Sequence, residues 1–153
     1  MTSTPVSGTR LWAGAQVAAA KARSGVTWAD IAQAVGRSLV WSTSAVLGQQ
    51  PLDADQASAI GGLLSLDDDV VAALQLPPDR GAGALDRSQP AVYRLEEAVQ
   101  VYGAAVAALM AEEFGDGIMS AIDFELDFAR VADPKGDRVV LTFNGKFLPY
   151  RVW

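Results

Sequence analysis

The sequence predicts an α+β protein: short helices bundled in its first half, then one long helix and a small β-sheet in its second. Three patterns carry that prediction. Capping residues and helix-ending glycines recur through residues 1–76 at spacings that leave room only for brief helices. Val92, Leu95, Val99, Tyr102, Val106 and Leu109 then step by threes and fours, as one apolar face of a helix does. From Ile122 the period drops to two, with Phe124, Leu126 and Phe128 alternating with Asp123, Glu125 and Asp127.

The elements follow in order. Leu11 to Ala22 is alanine-rich and helix-favouring. Thr27 caps a second helix, Trp28 to Val35, where Asp30 completes an approximate capping box and Gly36 makes the stop. Ser38 to Leu47 forms a third, closed by Gly48 with Pro51 soon after. Asp53 to Leu64 and Asp67 to Leu76 supply two more, the last starting in carboxylates that suit the positive end of a helix. Helix, three-residue turn and helix across Gly36 is the outline of a helix-turn-helix. Its second helix, however, has no lysine, arginine, asparagine or glutamine to reach a base edge, and only Arg37 stands just before it.

Residues 77–90, with Pro77-Pro78, Gly81, Gly83, Ala84 and Pro90, have linker chemistry. They divide the chain into a helical N-terminal domain, 1–80, and a C-terminal domain, 81–153. The long helix runs from about Ala91 to Phe114, with Pro90 near its first turn and Gly115 past its end. Gly103 interrupts its apolar stripe at a cost of about 1 kcal/mol against alanine, which a second backbone approaching closely would offset. Phe114 to Asp123 reads as a glycine-rich turn, Ile122 onward as a strand, and Asp133 to Asp137 as another turn. Val139 to Phe143 makes a second strand, and Asn144-Gly145 a tight hairpin turn into Lys146 to Tyr150, although Pro149 would sit poorly in a central strand. Two or three strands and one helix are too thin a layer to bury both faces, so other subunits are expected to complete this half.

Composition narrows the chemistry. A chain of 153 residues fits one domain, or a small domain with an oligomerising extension. With no histidine and no cysteine, it lacks disulfides, thiolate nucleophiles, cysteine-rich zinc sites and the commonest general base. A net charge of −6 opposes binding to a phosphate backbone, so no nucleic-acid partner is expected. The absence of a run of about 18 apolar residues or a signal-peptide start makes the expected location cytoplasmic, without a membrane partner. What remains favours the handling of small anions.

Arg94 and Glu97, three apart on the long helix, lie about 60° from each other around its axis and well away from the apolar stripe. Glu96 lies roughly 160° from Arg94, so Glu97 is the carboxylate that can work with this arginine. On spacing alone the pair also reads as a solvated ion pair worth a few tenths of a kcal/mol, about the usual surface value. Ser120 follows two glycines and could aim its hydroxyl at a ligand; without a histidine beside it, it suits hydrogen-bond donation better than nucleophilic attack, and an ordinary turn serine is the plainer alternative. Asp67-Asp68-Asp69 is a dipole-favoured helix start rather than a cation loop, and the aromatic end Tyr150 to Trp153 is for packing.

Several stretches together resemble the cyanase family, also called cyanate hydratase or cyanate lyase. They are Tyr93-Arg94 through Gln100-Val101-Tyr102-Gly103, Phe114-Gly115-Asp116-Gly117-Ile118-Met119-Ser120-Ala121-Ile122, Val131-Ala132-Asp133-Pro134 and Asn144-Gly145-Lys146-Phe147-Leu148-Pro149-Tyr150, with Leu47-Gly48-Gln49-Gln50-Pro51-Leu52 in the first half. The resemblance implies a helical domain resembling a repressor's DNA-binding fold, then an intertwined dimerisation and catalytic domain. It implies a homodecamer, a pentamer of dimers, with active sites between subunits and no metal or organic cofactor. The implied reaction joins cyanate to bicarbonate as co-substrate and loses carbon dioxide, leaving carbamate that falls to ammonia and a second carbon dioxide. By motif, the catalytic residues would be Arg94, Glu97 and Ser120, with Arg94 and Ser120 binding substrate. Asp123 is an asparagine in some relatives, so its charge is expected to point away from the anions. Residues 1–10 match nothing in the family. The alternative is a helix-turn-helix DNA-binding regulator with a C-terminal dimerisation domain.

Overall fold

The structure, a computed structural model, describes residues 7–81 and 86–152. Residues 1–6, the linker positions Gly83 and Ala84, and the terminal Trp153 lie outside the described residues. The described elements are α1 (Arg10–Ser24), α2 (Trp28–Val35), α3 (Leu39–Val46), α4 (Ala54–Leu64), α5 (Asp68–Leu74), α6 (Pro90–Phe114), β1 (Gly117–Val131) and β2 (Arg138–Pro149). This is the α+β class that the sequence predicts. The chain divides into two compact units, residues 1–82 with 127–141 and residues 83–126 with 142–153.

In the helical unit the helix starts are set by side chains that satisfy free backbone amides. Thr9 and Ser38 cap α1 and α3, accepting from the backbone of Trp12 and Trp41. Thr27 with Asp30, and Asp53 with Gln56, form reciprocal capping boxes. Gly36 ends α2 at φ 70°, a left-handed conformation open to glycine at little cost. The side chains between these caps form a core of small and medium apolar groups, among them Val17, Ile31, Ala45, Val46, Ile60 and Leu74, all fully buried.

α1 and α3 meet backbone to side chain. Gly14 has no Cβ, and one there would lie 2.5 Å from the Val46 carbonyl oxygen. One turn earlier, Arg10 is buried, and its guanidinium donates to the carbonyls of Ala45, Val46 and Gln50. Helix α3 has no basic residue in its own last turn, so Arg10 brings a cation and several donors to the end where the dipole is negative.

The second unit lacks such a core. No residue of α6 is buried, and its stripe of Leu95, Val99, Tyr102, Val106 and Leu109 is open on the surface of this single chain. Among the described residues a Cβ at Gly103 would touch only Val99 of the same helix, at 3.8 Å, and no second backbone approaches there. β1 and β2 pair in a two-stranded sheet.

The hairpin corrects three readings of the sequence. β1 begins at Gly117, so the expected glycine-rich turn shortens to Gly115 and Asp116, and Ser120 lies in a strand. Asn144-Gly145 lies inside β2 rather than in a turn, and no third strand follows among the described residues. These glycines serve close approach between the strands. A Cβ at Gly145 would lie 2.5 Å from Met119 Cγ and the Ser120 carbonyl oxygen, and one at Gly117 would collide with the Phe147 ring and the Leu148 carbonyl. The strict alternation also fails. Phe124 and Leu126 are half-buried, but Ile122 is 97 % exposed, because a two-stranded hairpin offers no second layer to receive it.

The reversal itself falls where the sequence places it. Gly136 N–H donates to the Asp133 carbonyl at 2.9 Å, and ion pairs Arg138–Asp133 and Arg130–Asp137 flank the turn. Pro149 is the last residue of β2, where a missing N–H costs little.

Candidate active site

Pro90 occupies the first position of α6 and fixes where the helix starts, which in turn fixes the facing of the next two turns. Tyr93, Arg94 and Glu97 then fall within a wedge of about 100° at 100° per residue. Arg94 Nη1 donates to Glu97 Oε2 at 2.6 Å. That hydrogen bond, and then the carboxylate's charge, hold the guanidinium above its ordinary pKa. The Arg94 side chain is 69 % exposed and that of Glu97 45 %, so solvent screens the pair and it adds little to stability. Its value lies in aim. Among the described residues Glu97 is the sole hydrogen-bond partner of Arg94, which leaves Nε and Nη2 to meet an oxyanion in the planar fork that guanidinium offers.

The neighbouring glutamate is occupied elsewhere. Arg87 Nε and Nη2 donate to the two oxygens of Glu96, each at 2.8 Å, and hold that carboxyl below its ordinary range. Arg87 thus engages Glu96, while Glu97 pairs with Arg94.

Ser120 is buried in β1, and its Oγ accepts from the backbone N–H of Ile122 at 3.1 Å and of Asp123 at 3.0 Å. With its lone pairs engaged by two amides, the hydroxyl is left to donate its proton. No basic group among the described residues bonds to it, which disfavours nucleophilic use. Within this chain Arg94 and Glu97 come together, while Ser120 makes no hydrogen bond to either. The Asp123 carboxylate faces Lys146 across the hairpin, with Nζ 3.9 Å from Oδ2.

Three neighbours escape sequence reasoning. Arg87 lies in a linker with no periodicity to point at Glu96. Tyr93 has its ring centroid 5.5 Å from the Arg94 guanidinium carbon, a contact hidden because adjacent helix positions do not normally face each other. Gly145 is masked by its resemblance to a turn. Among the described residues no group of three or more histidine, cysteine, aspartate or glutamate side chains could hold a metal ion, and no helix is long and apolar enough to cross a membrane.

Comparison with known proteins gives the class first. Residues 85–152 match the cyanate lyase C-terminal domain and residues 10–78 the cyanate hydratase N-terminal domain, so the chain is an enzyme of the lyase class. It is 47 % identical over 137 residues to a cyanate hydratase of Mycobacterium avium, covering 89 % of this chain and 88 % of that one. It is 50 % identical over 134 residues to a cyanate hydratase of Thiobacillus denitrificans, covering 87 % and 91 %. The crystal structure of cyanase from T. urticae superposes with a TM-score of 0.80 at 36 % identity, covering 90 % of this chain and 97 % of the other. The chain belongs to the cyanate hydratase family. Both halves match enzyme domains, which leaves the regulator alternative without support.

Proposed function

We propose that this chain decomposes cyanate in a bicarbonate-dependent reaction, with Arg94, Glu97 and Ser120 as the catalytic residues. Bicarbonate oxygen attacks the cyanate carbon, carbon dioxide leaves, and the resulting carbamate falls to ammonia and a second carbon dioxide. One cyanate, one bicarbonate and two protons balance one ammonia and two carbon dioxides. The observation that carries the reading is the Arg94–Glu97 pair at 2.6 Å on an exposed helix face, with the rest of the guanidinium uncommitted.

Both substrates are anions. Bringing two unit charges to about 4 Å costs roughly 4 kcal/mol at an effective dielectric near 20, so a fixed cation must face them. Arg94 supplies it and binds the oxyanions in its fork. Glu97 orients that fork or accepts the bicarbonate proton, and Ser120, already accepting two hydrogen bonds, donates to the developing oxyanion. No metal or organic cofactor is required by these steps.

One arginine cannot neutralise a dianionic intermediate, and Ser120 is not bonded to the Arg94–Glu97 pair within one chain. Both points support sites shared between subunits of a homodecamer, a pentamer of dimers, in which the open α6 stripe and the hairpin are covered. On this reading residues 1–80 are the repressor-like helical domain and 81–153 the intertwined catalytic domain of a cytoplasmic enzyme. The test is ammonia release from cyanate in carbon-dioxide-depleted buffer with and without added bicarbonate, on protein whose mass is measured by sedimentation. Bicarbonate-dependent release from a large oligomer is expected. Release without bicarbonate, or from a single chain, overturns the corresponding part.

A further inference from the structure

We propose that Tyr93 is a positioning residue for Arg94: its ring forms the floor on which the guanidinium lies while Glu97 holds one edge. The inference rests on the function proposed above and adds a residue to it. On α6, Tyr93 and Glu97 are four apart and share a face, and Arg94 stands between one and two side-chain widths around from them. To reach Glu97 at 2.6 Å the arginine must bend back over that face, which places its guanidinium carbon 5.5 Å from the Tyr93 ring centroid. A cation at this distance is drawn to the negative face of an aromatic ring.

The two restraints act along different directions. A single salt bridge fixes one nitrogen and leaves the plane of the fork free to swing about that contact. A ring on one side removes the swing without using an N–H, so the donors needed by the substrates stay available. An aliphatic side chain at position 93 would fill the same space without setting the plane. Lysine in place of Arg94 would have no plane to set, so the pairing of an aromatic ring with arginine is itself informative.

Within the phenylalanine series the test keeps side-chain size nearly constant and varies the charge distribution of the ring. Tyr93→Phe is compared with replacement of Tyr93 by phenylalanines carrying one, two and three ring fluorines, and with Tyr93→Leu. Steady-state ammonia release gives kcat and KM for each anion, and sedimentation checks the assembly. Tyr93→Phe should retain kcat/KM within about twofold, Tyr93→Leu should lose about tenfold, and log kcat/KM should decline stepwise with fluorination. A role confined to packing does not follow fluorination, so a flat series overturns the proposal even if Tyr93→Leu is inactive. If the wild-type chain releases no ammonia, the function fails separately. Calorimetric binding of bicarbonate across the same series then judges Tyr93, a graded Kd supporting it and a constant Kd refuting it.

Discussion

Gly145→Ala should disable Ser120 without replacing it. In the hairpin a Cβ at position 145 lies 2.5 Å from the Ser120 carbonyl oxygen and from Met119 Cγ. Ordinary contact begins near 3.4 Å, so the strands must part by about 0.9 Å at this point. The displaced oxygen belongs to the backbone and cannot rotate away as a side chain can. Ser120 would move with it, carrying a hydroxyl whose direction depends on hydrogen bonds to Ile122 and Asp123. A misplacement of about 1 Å in a catalytic group typically costs on the order of a hundredfold in rate, so kcat for ammonia release should fall by about that factor. Circular dichroism and sedimentation should show the helical content and mass retained. Gly117→Ala serves as a comparison, because its Cβ meets Phe147 and Leu148 instead. Wild-type kcat in a folded Gly145→Ala protein would refute the reasoning, since either the strands are not so close or Ser120 does not matter.

Other expectations concern the helical unit. Asp30 accepts from the Thr27 hydroxyl and backbone N–H, each at 2.7 Å, and these bonds hold its pKa below the ordinary aspartate value of 3.8. A depressed folded pKa means that the stabilisation is complete above 3.8 and is lost as pH falls through the lower folded value. The thermal stability of wild type over Asp30→Asn should therefore be greatest near neutrality and vanish in acid; a difference that does not change with pH would count against the capping box. Arg10→Met keeps much of the side-chain volume but removes the guanidinium's hydrogen bonds to the carbonyls of Ala45 and Val46 in α3 and of Gln50 beyond it. About 1–3 kcal/mol should be lost in denaturant unfolding of the helical unit, and an unchanged midpoint would show that water replaces the guanidinium.

How much of this was legible in the sequence varies with the reach of the interactions. Thr27, Asp30, Gly36, Asp53 and Pro90 act on residues within four positions, so the helices of the first half and the start of α6 could be read directly. The pairing of Arg94 with Glu97 rather than Glu96 follows from helix geometry alone, for the same reason. Asn144-Gly145 misled because its local preference for a turn yields to pairing with residues some twenty-five positions earlier, where the absence of a Cβ is needed against Ser120. Arg87 reaching Glu96, and Arg10 reaching α3, are set by where elements end up in space, which no spacing rule conveys. Ser120 stood out in the sequence as a candidate donor, but the two amides from which its Oγ accepts did not, since β1 had to be placed first.

The uncovered face of α6 also determines how this protein would respond to dilution. The helical unit has its own buried core, whereas α6, with no buried residue, draws little stabilisation from the chain it belongs to. If copies of the chain cover that face, ordering of the second unit is a mass-action event, and its apparent melting temperature rises with protein concentration while that of the first unit does not. Heating a dilute sample would then extinguish activity well before most of the helical signal disappears, and restoring the concentration after cooling would bring it back.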